Sequence, residues 1–144
     1  MSDAERHDFL EEQMVMQCAT VGPRGIPHMV PLWFVPEGHE LIGWTYAKSQ
    51  KARNLERDPR ATIGIEDGVQ YHELRGVMLE CDVTLERDPA RVETYRLALF
   101  GRYAGDLGPE VRAMVAAQAP KRVGLRFVPS HVVSWDHRKL GDTY

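Results

Sequence analysis

The sequence predicts a mainly β domain with helices, an α+β fold arranged as a small closed barrel. Its 144 residues, 43% of them hydrophobic, are enough for one domain with a real core, so we assign residues 1–144 to a single domain. Near the middle, Val77, Leu79, Cys81 and Val83 alternate with their neighbours at the period of a half-buried strand. Six or seven short strands with intervening helices suit a small barrel with helical insertions.

The first third of the chain predicts a capped helix followed by three strands. Ser2 or Asp3 can cap the helix, because a side-chain oxygen at that position accepts a hydrogen bond from the first turn. Pro23-Arg24-Gly25 has turn chemistry, and Pro36-Glu37-Gly38-His39 joins the second and third strands into a hairpin. We predict the helix to about Met14 and the strands at Cys18–Val21, Pro27–Val35 and Glu40–Tyr46.

Pro31 interrupts the second predicted strand. Proline has no N–H group to donate to a neighbouring strand, so within sheets it is confined to edges and bulges. We therefore expect an edge or a bulge at this position.

The remaining two thirds of the chain alternate helices and strands. Ser49 opens a basic helix that stops at Asp58-Pro59, and Asp88-Pro89 opens the next helix. Pro129-Ser130 breaks the last β segment in two. We predict a further helix at Pro109–Ala119, a loop at Gly101–Gly108, and strands at Ala61–Ile65, Tyr71–Leu85, Arg122–Val128 and His131–Asp136.

Composition and motifs argue against several functions. A net charge of −3 and a pI near 6.1 give no reason to expect a nucleic-acid or membrane partner, and no apolar run approaches the ~20 residues that span a bilayer. The polar N-terminus is not a signal peptide. Cys18 and Cys81 lack CxxC spacing, which predicts buried thiols and a cytoplasmic location. Metal-binding histidine spacing, GxSxG and GxGxxG are absent, so we expect no metal site, no serine hydrolase and no Rossmann cofactor site.

The stretch from Thr45 to Ile65 is the most informative part of the sequence. It reads as the end of one strand, a short basic helix and the start of the next strand. Unpaired N–H groups at a helix start, with Ser49 and Lys51 beside them, favour an anion such as a phosphate. A solvated basic helix between two strands is the alternative interpretation.

Three motifs in this order resemble one family. Ser49-Gln50-Lys51, Leu55 and Asp58-Pro59-Arg60-Ala61 are similar to the phosphate-binding segment of the pyridoxamine 5'-phosphate oxidase-like split β-barrel proteins, with Gln50 in place of the usual arginine. The likeness includes the segments Pro27–Phe34 and Val133–Leu140. The pattern Lys51-x-x-Asn54-Leu55 looks more like that of the branch that binds the deazaflavin coenzyme F420 than that of the oxidases that bind FMN.

The resemblance implies a six- to seven-stranded split β-barrel, a homodimer with the cofactor at the subunit interface, and hydride transfer between F420 and a small conjugated substrate. The alternatives are an FMN-dependent enzyme like pyridoxamine-phosphate oxidase, or a non-catalytic flavin-, haem- or tetrapyrrole-binding protein. No catalytic side chain is assigned. The cofactor-binding residues that it implies are Val30, Pro31, Leu32, Trp33, Thr45, Lys48, Ser49, Lys51, Asn54 and Trp135.

Tryptophans also predict the homodimer. Sheets of this kind leave a large aromatic face, here including Trp33, Trp44 and Trp135, that a 144-residue monomer would struggle to cover. The family resemblance implies that Trp135 of one subunit lies at the cofactor of the other. An ordinary aromatic residue in a dimer interface or barrel core is the alternative for this position.

Overall fold

A computed structural model describes residues 1–105 and 107–141, and one curled antiparallel sheet dominates these residues. The four α-helices among them are α1 (Asp3–Glu12), α2 (Gln50–Arg57), α3 (Pro89–Tyr103) and α4 (Pro109–Gln118). The seven strands are β1 (Met16–Val21), β2 (Pro27–Leu32), β3 (Val35–Glu37), β4 (Glu40–Tyr46), β5 (Arg60–Asp67), β6 (Arg75–Glu86) and β7 (Arg122–Asp136). Short 3-10 turns occur at Tyr71–Glu73, Ala119–Lys121 and His137–Lys139.

The barrel is split between two strands that are neighbours in sequence. The strand order is β2-β1-β5-β6-β7-β4-β3, so β2 and β3 form opposite edges of the sheet. The chain passes from one edge to the other at Trp33–Phe34, and Phe34 is fully buried at this crossover. This arrangement confirms the predicted split barrel. It also confirms the edge position of Pro31, which lies on β2.

The inner side of the curled sheet forms the main core. Alternate residues of each strand point inward, as the period-2 pattern predicts, and α1 closes the core with Phe9. The largest fully buried side chains in this cluster are Phe9, Met16, Phe34, Leu41, Ile63, Ile65, Val77, Leu125 and Phe127.

A second, smaller core lies on the outer side of β4 and β7, under α3. Trp44 packs there with Val92, Leu99 and Ala119. Gly124 makes this close packing feasible, because a Cβ atom at that position would lie 2.5 Å from the Tyr95 ring. Trp44 is only 8% exposed, so the predicted exposed aromatic face is wrong for this residue.

The C-terminal end of α3 fastens the crossover to α1. The Tyr103 hydroxyl donates to Met14 O and accepts from Phe34 N–H at 3.0 Å, and the Tyr103 ring stacks on Trp33 at a centroid distance of 4.3 Å. The Arg102 guanidinium donates to carbonyl groups at the end of α1 and to Phe34 O. Sequence analysis assigned both residues to a loop, but the helix continues through them.

Several predicted element limits are wrong. Only Val35–Glu37 pairs with β4, so the predicted hairpin of Pro27–Val35 with Glu40–Tyr46 is limited to a short β3. The two predicted C-terminal strands are one strand, with a bulge that leaves Ser130 between the paired Pro129 and His131. A bulge accommodates the proline locally without ending the strand.

Smaller features of the fold also differ from the predictions or agree with them. Tyr71–Glu73 forms a 3-10 turn rather than the start of β6. Asp106, in the predicted loop, lies outside the described residues. Cys18 and Cys81 are buried free thiols, as predicted. Among the described helices, none has the length and apolar character needed to cross a membrane.

Candidate functional site

The start of α2 presents hydrogen-bond donors beside the end of β4. Ser49 caps the helix, and its Oγ accepts from Ala52 N–H at 3.2 Å. The helix has no internal acceptors for the N–H groups of its first two residues, Gln50 and Lys51. These N–H groups and the positive end of the helix dipole favour a negative group at this position.

Thr45, Ser49 and Lys51 form one polar cluster at this helix start, which we call the lysine cluster. Lys51 Nζ donates to Thr45 Oγ1 at 3.0 Å, and Thr45 Oγ1 donates to Ser49 Oγ at 3.3 Å. Thr45 is buried and Lys51 half-buried. No carboxylate of residues 1–105 and 107–141 forms an ion pair with Lys51. An ammonium group with two hydroxyl groups and helix N–H groups around it is a donor set suited to an oxyanion.

Burial changes the acid–base properties of the lysine cluster. Desolvation lowers the pKa of Lys51, because burial disfavours its charged form. Cys18, on β1, lies close enough to interact electrostatically with Lys51, and burial raises the pKa of its thiol to about 11. The thiol is therefore neutral near pH 7 and supplies no counter-charge. The lysine ammonium remains available to an external anion.

Edge strand β2 pairs with β1, the strand that carries Cys18. Val30 pairs with Cys18, so its half-buried side chain faces the inner side of the sheet, as does that of Leu32. Pro31 is exposed on the outer face. The outer edge of such a strand carries backbone groups that no neighbouring strand pairs, and they are available to a planar polar ligand. His28, on the inner side, has a buried Nδ1 atom without a hydrogen-bond partner.

A family model described as "Pyridoxamine 5'-phosphate oxidase" matches residues 2–136. The chain belongs to the pyridoxamine 5'-phosphate oxidase family. No curated protein shows significant similarity to it.

Solved structures of similar fold include proteins of different printed function. The conserved hypothetical protein Rv2991 from Mycobacterium tuberculosis is 40% identical, with a TM-score of 0.91, over 100% of this chain and 90% of that chain. An F420 reductase is 26% identical, with a TM-score of 0.70, over 88% of this chain and 94% of that chain. The haem storage protein HutZ from Vibrio cholerae is 21% identical, with a TM-score of 0.70, over 93% of each chain, which shows a shared fold.

In this member of the pyridoxamine 5'-phosphate oxidase family, the implied site residues fall into separate groups. Thr45, Ser49 and Lys51 meet in the lysine cluster, while Lys48 is exposed next to it. Trp33 lies at the barrel crossover and is 45% exposed.

Asn54 does not join the lysine cluster. It is fully buried, and its amide group donates to Thr20 Oγ1 at 3.0 Å and accepts from Gln50 and Arg57. Arg57 also donates to Val21 O at 2.7 Å. These contacts attach α2 to β1. This geometry does not offer Asn54 to a ligand in solvent, in contrast to the role that the sequence resemblance implies.

Trp135 lies on the outer face of the sheet near the end of β7. It pairs with Gly76, and a Cβ atom at Gly76 would lie 2.3 Å from the Trp135 ring. The half-buried indole therefore lies flat across the glycine. Met78 and Val133, which pair with each other, share this outer face.

Sequence reasoning missed the neighbours that support the site. Cys18 was predicted only as a buried thiol, and His28 was not singled out, although it lies within the motif Pro27–Phe34. Arg102 and Tyr103, which hold the crossover, have no local sequence signal, because their partners are about 70 or more residues away in the chain.

Proposed function

We propose that the protein is a coenzyme F420-dependent oxidoreductase that transfers hydride between the deazaflavin and a small conjugated substrate. The observation that carries the proposal is the lysine cluster, where an ammonium group that has no carboxylate partner among the described residues meets two hydroxyl groups at a helix start. The similarity to an F420 reductase at 26% identity supports the deazaflavin as the cofactor.

The donor set fits the phosphate end of such a cofactor. Lys51, Ser49 and Thr45 supply one charged and two hydroxyl donors, and the first-turn N–H groups of α2 add to them. Exposed Lys48 and Arg53 stand beside this segment, where the extra carboxylates of the deazaflavin tail need positive partners. Asn54 then acts indirectly, by holding α2 in place.

In this proposal the ring end of the cofactor binds along the edge strand β2. Val30, Pro31 and Leu32 supply unpaired edge backbone groups to the polar side of a planar ring, and Trp33 supplies an aromatic surface at the crossover. The deazaflavin, when bound, supplies the hydride chemistry. The chain binds and orients the reactants and excludes water, and no side chain is assigned as a proton donor.

A homodimer completes this proposal. The outer face of the sheet exposes apolar side chains on separate strands, with Met29 of β2 65% and Val133 of β7 40% exposed. A cavity of about 420 Å³ between β1, β5 and β6 opens on this face, next to Arg60 and Glu80. An apolar centre with charged residues at its rim is typical of a subunit interface. Trp135 lies on the same face, and in the dimer Trp135 of the partner subunit reaches the cofactor site.

FMN is the second candidate cofactor, and the family match favours keeping it. Thr45, Ser49 and Lys51 serve the phosphate of either compound. F420 differs from FMN in the added carboxylates of its tail, so Lys48 and Arg53 decide which of the two cofactors binds more tightly. Because exposed ion pairs contribute less than about 1 kcal/mol each, we expect a modest preference for F420 that shrinks as salt rises.

Side-by-side titration of the purified protein with F420 and FMN tests this proposal. We expect tighter binding of F420 at low salt, and a smaller difference at high salt. Tighter or equal binding of FMN at low salt would assign the protein to the flavin-dependent enzymes. Failure of both compounds to bind would contradict the oxidoreductase proposal and favour the family's non-catalytic binding proteins.

A further inference from the structure

A second basic cluster lies on the other face of β4, under α3. We call it the arginine cluster, and it consists of Arg96 and Arg122 with Trp44 and Tyr46. The Arg96 guanidinium carbon lies 4.3 Å from the Trp44 ring centroid and 4.3 Å from that of Phe100. The Arg122 guanidinium carbon lies 5.1 Å from the Trp44 centroid and 4.8 Å from that of Tyr46. Both cations therefore contact the same indole ring.

Neither guanidinium has an acceptor in the part of the chain that the structure describes. Throughout residues 1–105 and 107–141, no ion pair or side-chain hydrogen bond involves Arg96 or Arg122. Arg126, on the same face of β7, instead bonds to Glu37, Glu40 and Tyr95. The missing acceptors therefore distinguish this cluster from neighbouring arginines on the same surface.

Two buried donors in the arginine cluster also lack partners. The Trp44 Nε1 and Arg96 Nε atoms are both buried without a hydrogen bond. Unpaired buried donors are uncommon in folded proteins, and each calls for an explanation such as a bound water or ion. A water molecule would satisfy a donor but leave the charges uncompensated, whereas an anion satisfies both.

Electrostatics favour the same occupant. Burial and then the nearby Arg122 charge lower the pKa of Arg96, because both disfavour its cation. An arginine is nevertheless always charged near neutral pH, so the protein cannot remove this cost by deprotonation. A negative group that contacts both guanidinium groups would offset this like-charge repulsion with two charge-assisted contacts.

We infer that Arg96 and Arg122 form a binding site for an oxyanion, either a phosphate or a carboxylate group. The site is separate from the lysine cluster, since Tyr46 and Arg122 pair on the face of β4 opposite to Thr45. The inference does not depend on F420 being the cofactor. Two sources supply this chemistry: a free phosphate compound, or the carboxylates of a glutamyl chain that passes over the end of β4.

Calorimetric titration with inorganic phosphate and with γ-linked diglutamate tests the inference. The titrations use the Lys51→Ala protein, so that the lysine cluster does not contribute, and chloride keeps the ionic strength constant. We expect one saturable site, and at least a tenfold rise in Kd when Arg122→Gln or Arg96→Gln is added. Arg91→Gln is the matched control, because Arg91 lies on α3 but is paired with Glu86, and it should change Kd less than twofold.

The two ligands separate the sources. Tighter binding of diglutamate, in competition with phosphate, identifies a carboxylate chain, whereas tighter binding of phosphate identifies a phosphate compound. A thermal melt checks that each variant is folded before titration, because Arg96→Gln also removes the packing of the guanidinium on the Trp44 and Phe100 rings. Absence of binding by both ligands, or equal Kd values in the Arg122→Gln protein and its parent, would overturn the inference.

Discussion

Lys51 supplies the charged group of the candidate site. Its ammonium contacts Thr45, has no carboxylate partner among the described residues, and stands at the start of a helix. Arg53 provides a natural comparison, because it lies two residues further along α2, about 200° around a helix of 3.6 residues per turn, and is exposed. The two cations have the same charge but different positions relative to the helix start.

Lys51→Ala should weaken binding of the phosphate-bearing cofactor more than Arg53→Ala does. Loss of a charge-assisted contact costs about 1.5–3 kcal/mol, which raises Kd roughly tenfold to a hundredfold. Fluorescence or calorimetric titration of both variants measures the difference. Wild-type affinity in the Lys51→Ala protein would show that the phosphate binds elsewhere.

The lowered pKa of Lys51 predicts a pH dependence of cofactor affinity. Lysine is charged below its pKa, and burial brings that pKa below the ordinary value of 10.5. Affinity should therefore fall as pH rises through the lowered pKa, at a lower pH than for an exposed lysine. Lys51→Arg is the control, because its guanidinium stays charged and should keep the affinity level over this range. Parallel pH profiles for the two proteins would argue against a role for the Lys51 charge.

At the scale of elements, the position of α2 depends on Asn54. The buried amide joins α2 to Thr20 on β1, and Arg57 adds a contact to the end of the same strand. The lysine cluster needs this attachment, because its residues come from both β4 and α2. A buried polar side chain whose partners all belong to the protein is a positioning group for the helix that carries Lys51.

Asn54→Ala should lower the free energy of unfolding by about 1–3 kcal/mol, because it leaves Thr20 without its buried partner. Urea denaturation measures the loss. Gln50→Ala is the matched control, since Gln50 is exposed and bonds to the same amide group, and it should cost less than about 0.5 kcal/mol. Unchanged stability combined with a large loss of cofactor affinity would instead favour direct contact of Asn54 with the ligand.

At the scale of the whole molecule, the outer face of the sheet is where we propose that two subunits meet. Met78 and Val133 pair with each other there, Met29 is exposed on β2, and Gly64 of β5 leaves open space beside Met78. Of the three tryptophans that predicted an aromatic face, Trp135 lies on this side of the sheet, whereas Trp44 is covered by α3. Apolar residues of β2, β6 and β7 add to the same face.

Val133→Asp should convert the proposed dimer into a monomer, because a charge placed in an apolar interface loses its hydration without gaining a partner. Sedimentation at micromolar concentration measures the change in mass. Val69→Asp is the matched control, since Val69 is 87% exposed in the loop after β5 and should not affect assembly. A wild-type protein that sediments as a monomer would contradict the dimer.

Long-range pairing accounts for the errors in predicted elements. The strand signal of Pro27–Val35 is continuous in sequence, yet the chain leaves one sheet edge at Leu32 and joins the other at Val35. Pro129 has the local chemistry of a strand break, yet pairing with β6 carries β7 through it as a bulge. Local residue types do not specify which strand a segment will pair with, so they do not predict such outcomes.

The sequence by itself determined the features that depend on local chemistry. Ser49 and Asp58-Pro59 set the limits of α2, Pro31 required an edge, and the alternation from Val77 to Val83 defined the inner face of β6. The resemblance to the family predicted Thr45, Ser49 and Lys51 as site residues, and these three side chains contact one another in the structure.

Only the tertiary structure decided which polar and aromatic side chains remain available to ligands. Asn54 belongs to the Lys51-x-x-Asn54-Leu55 motif and Trp44 to the predicted aromatic face, but contacts with Thr20 and with α3 bury them. Arg96 and Arg122 are 26 positions apart in sequence and show no common motif, yet they contact one indole ring. Burial and charge pairing depend on contacts between segments that are distant in sequence. These contacts form only when the chain folds, so local residue types do not reveal them.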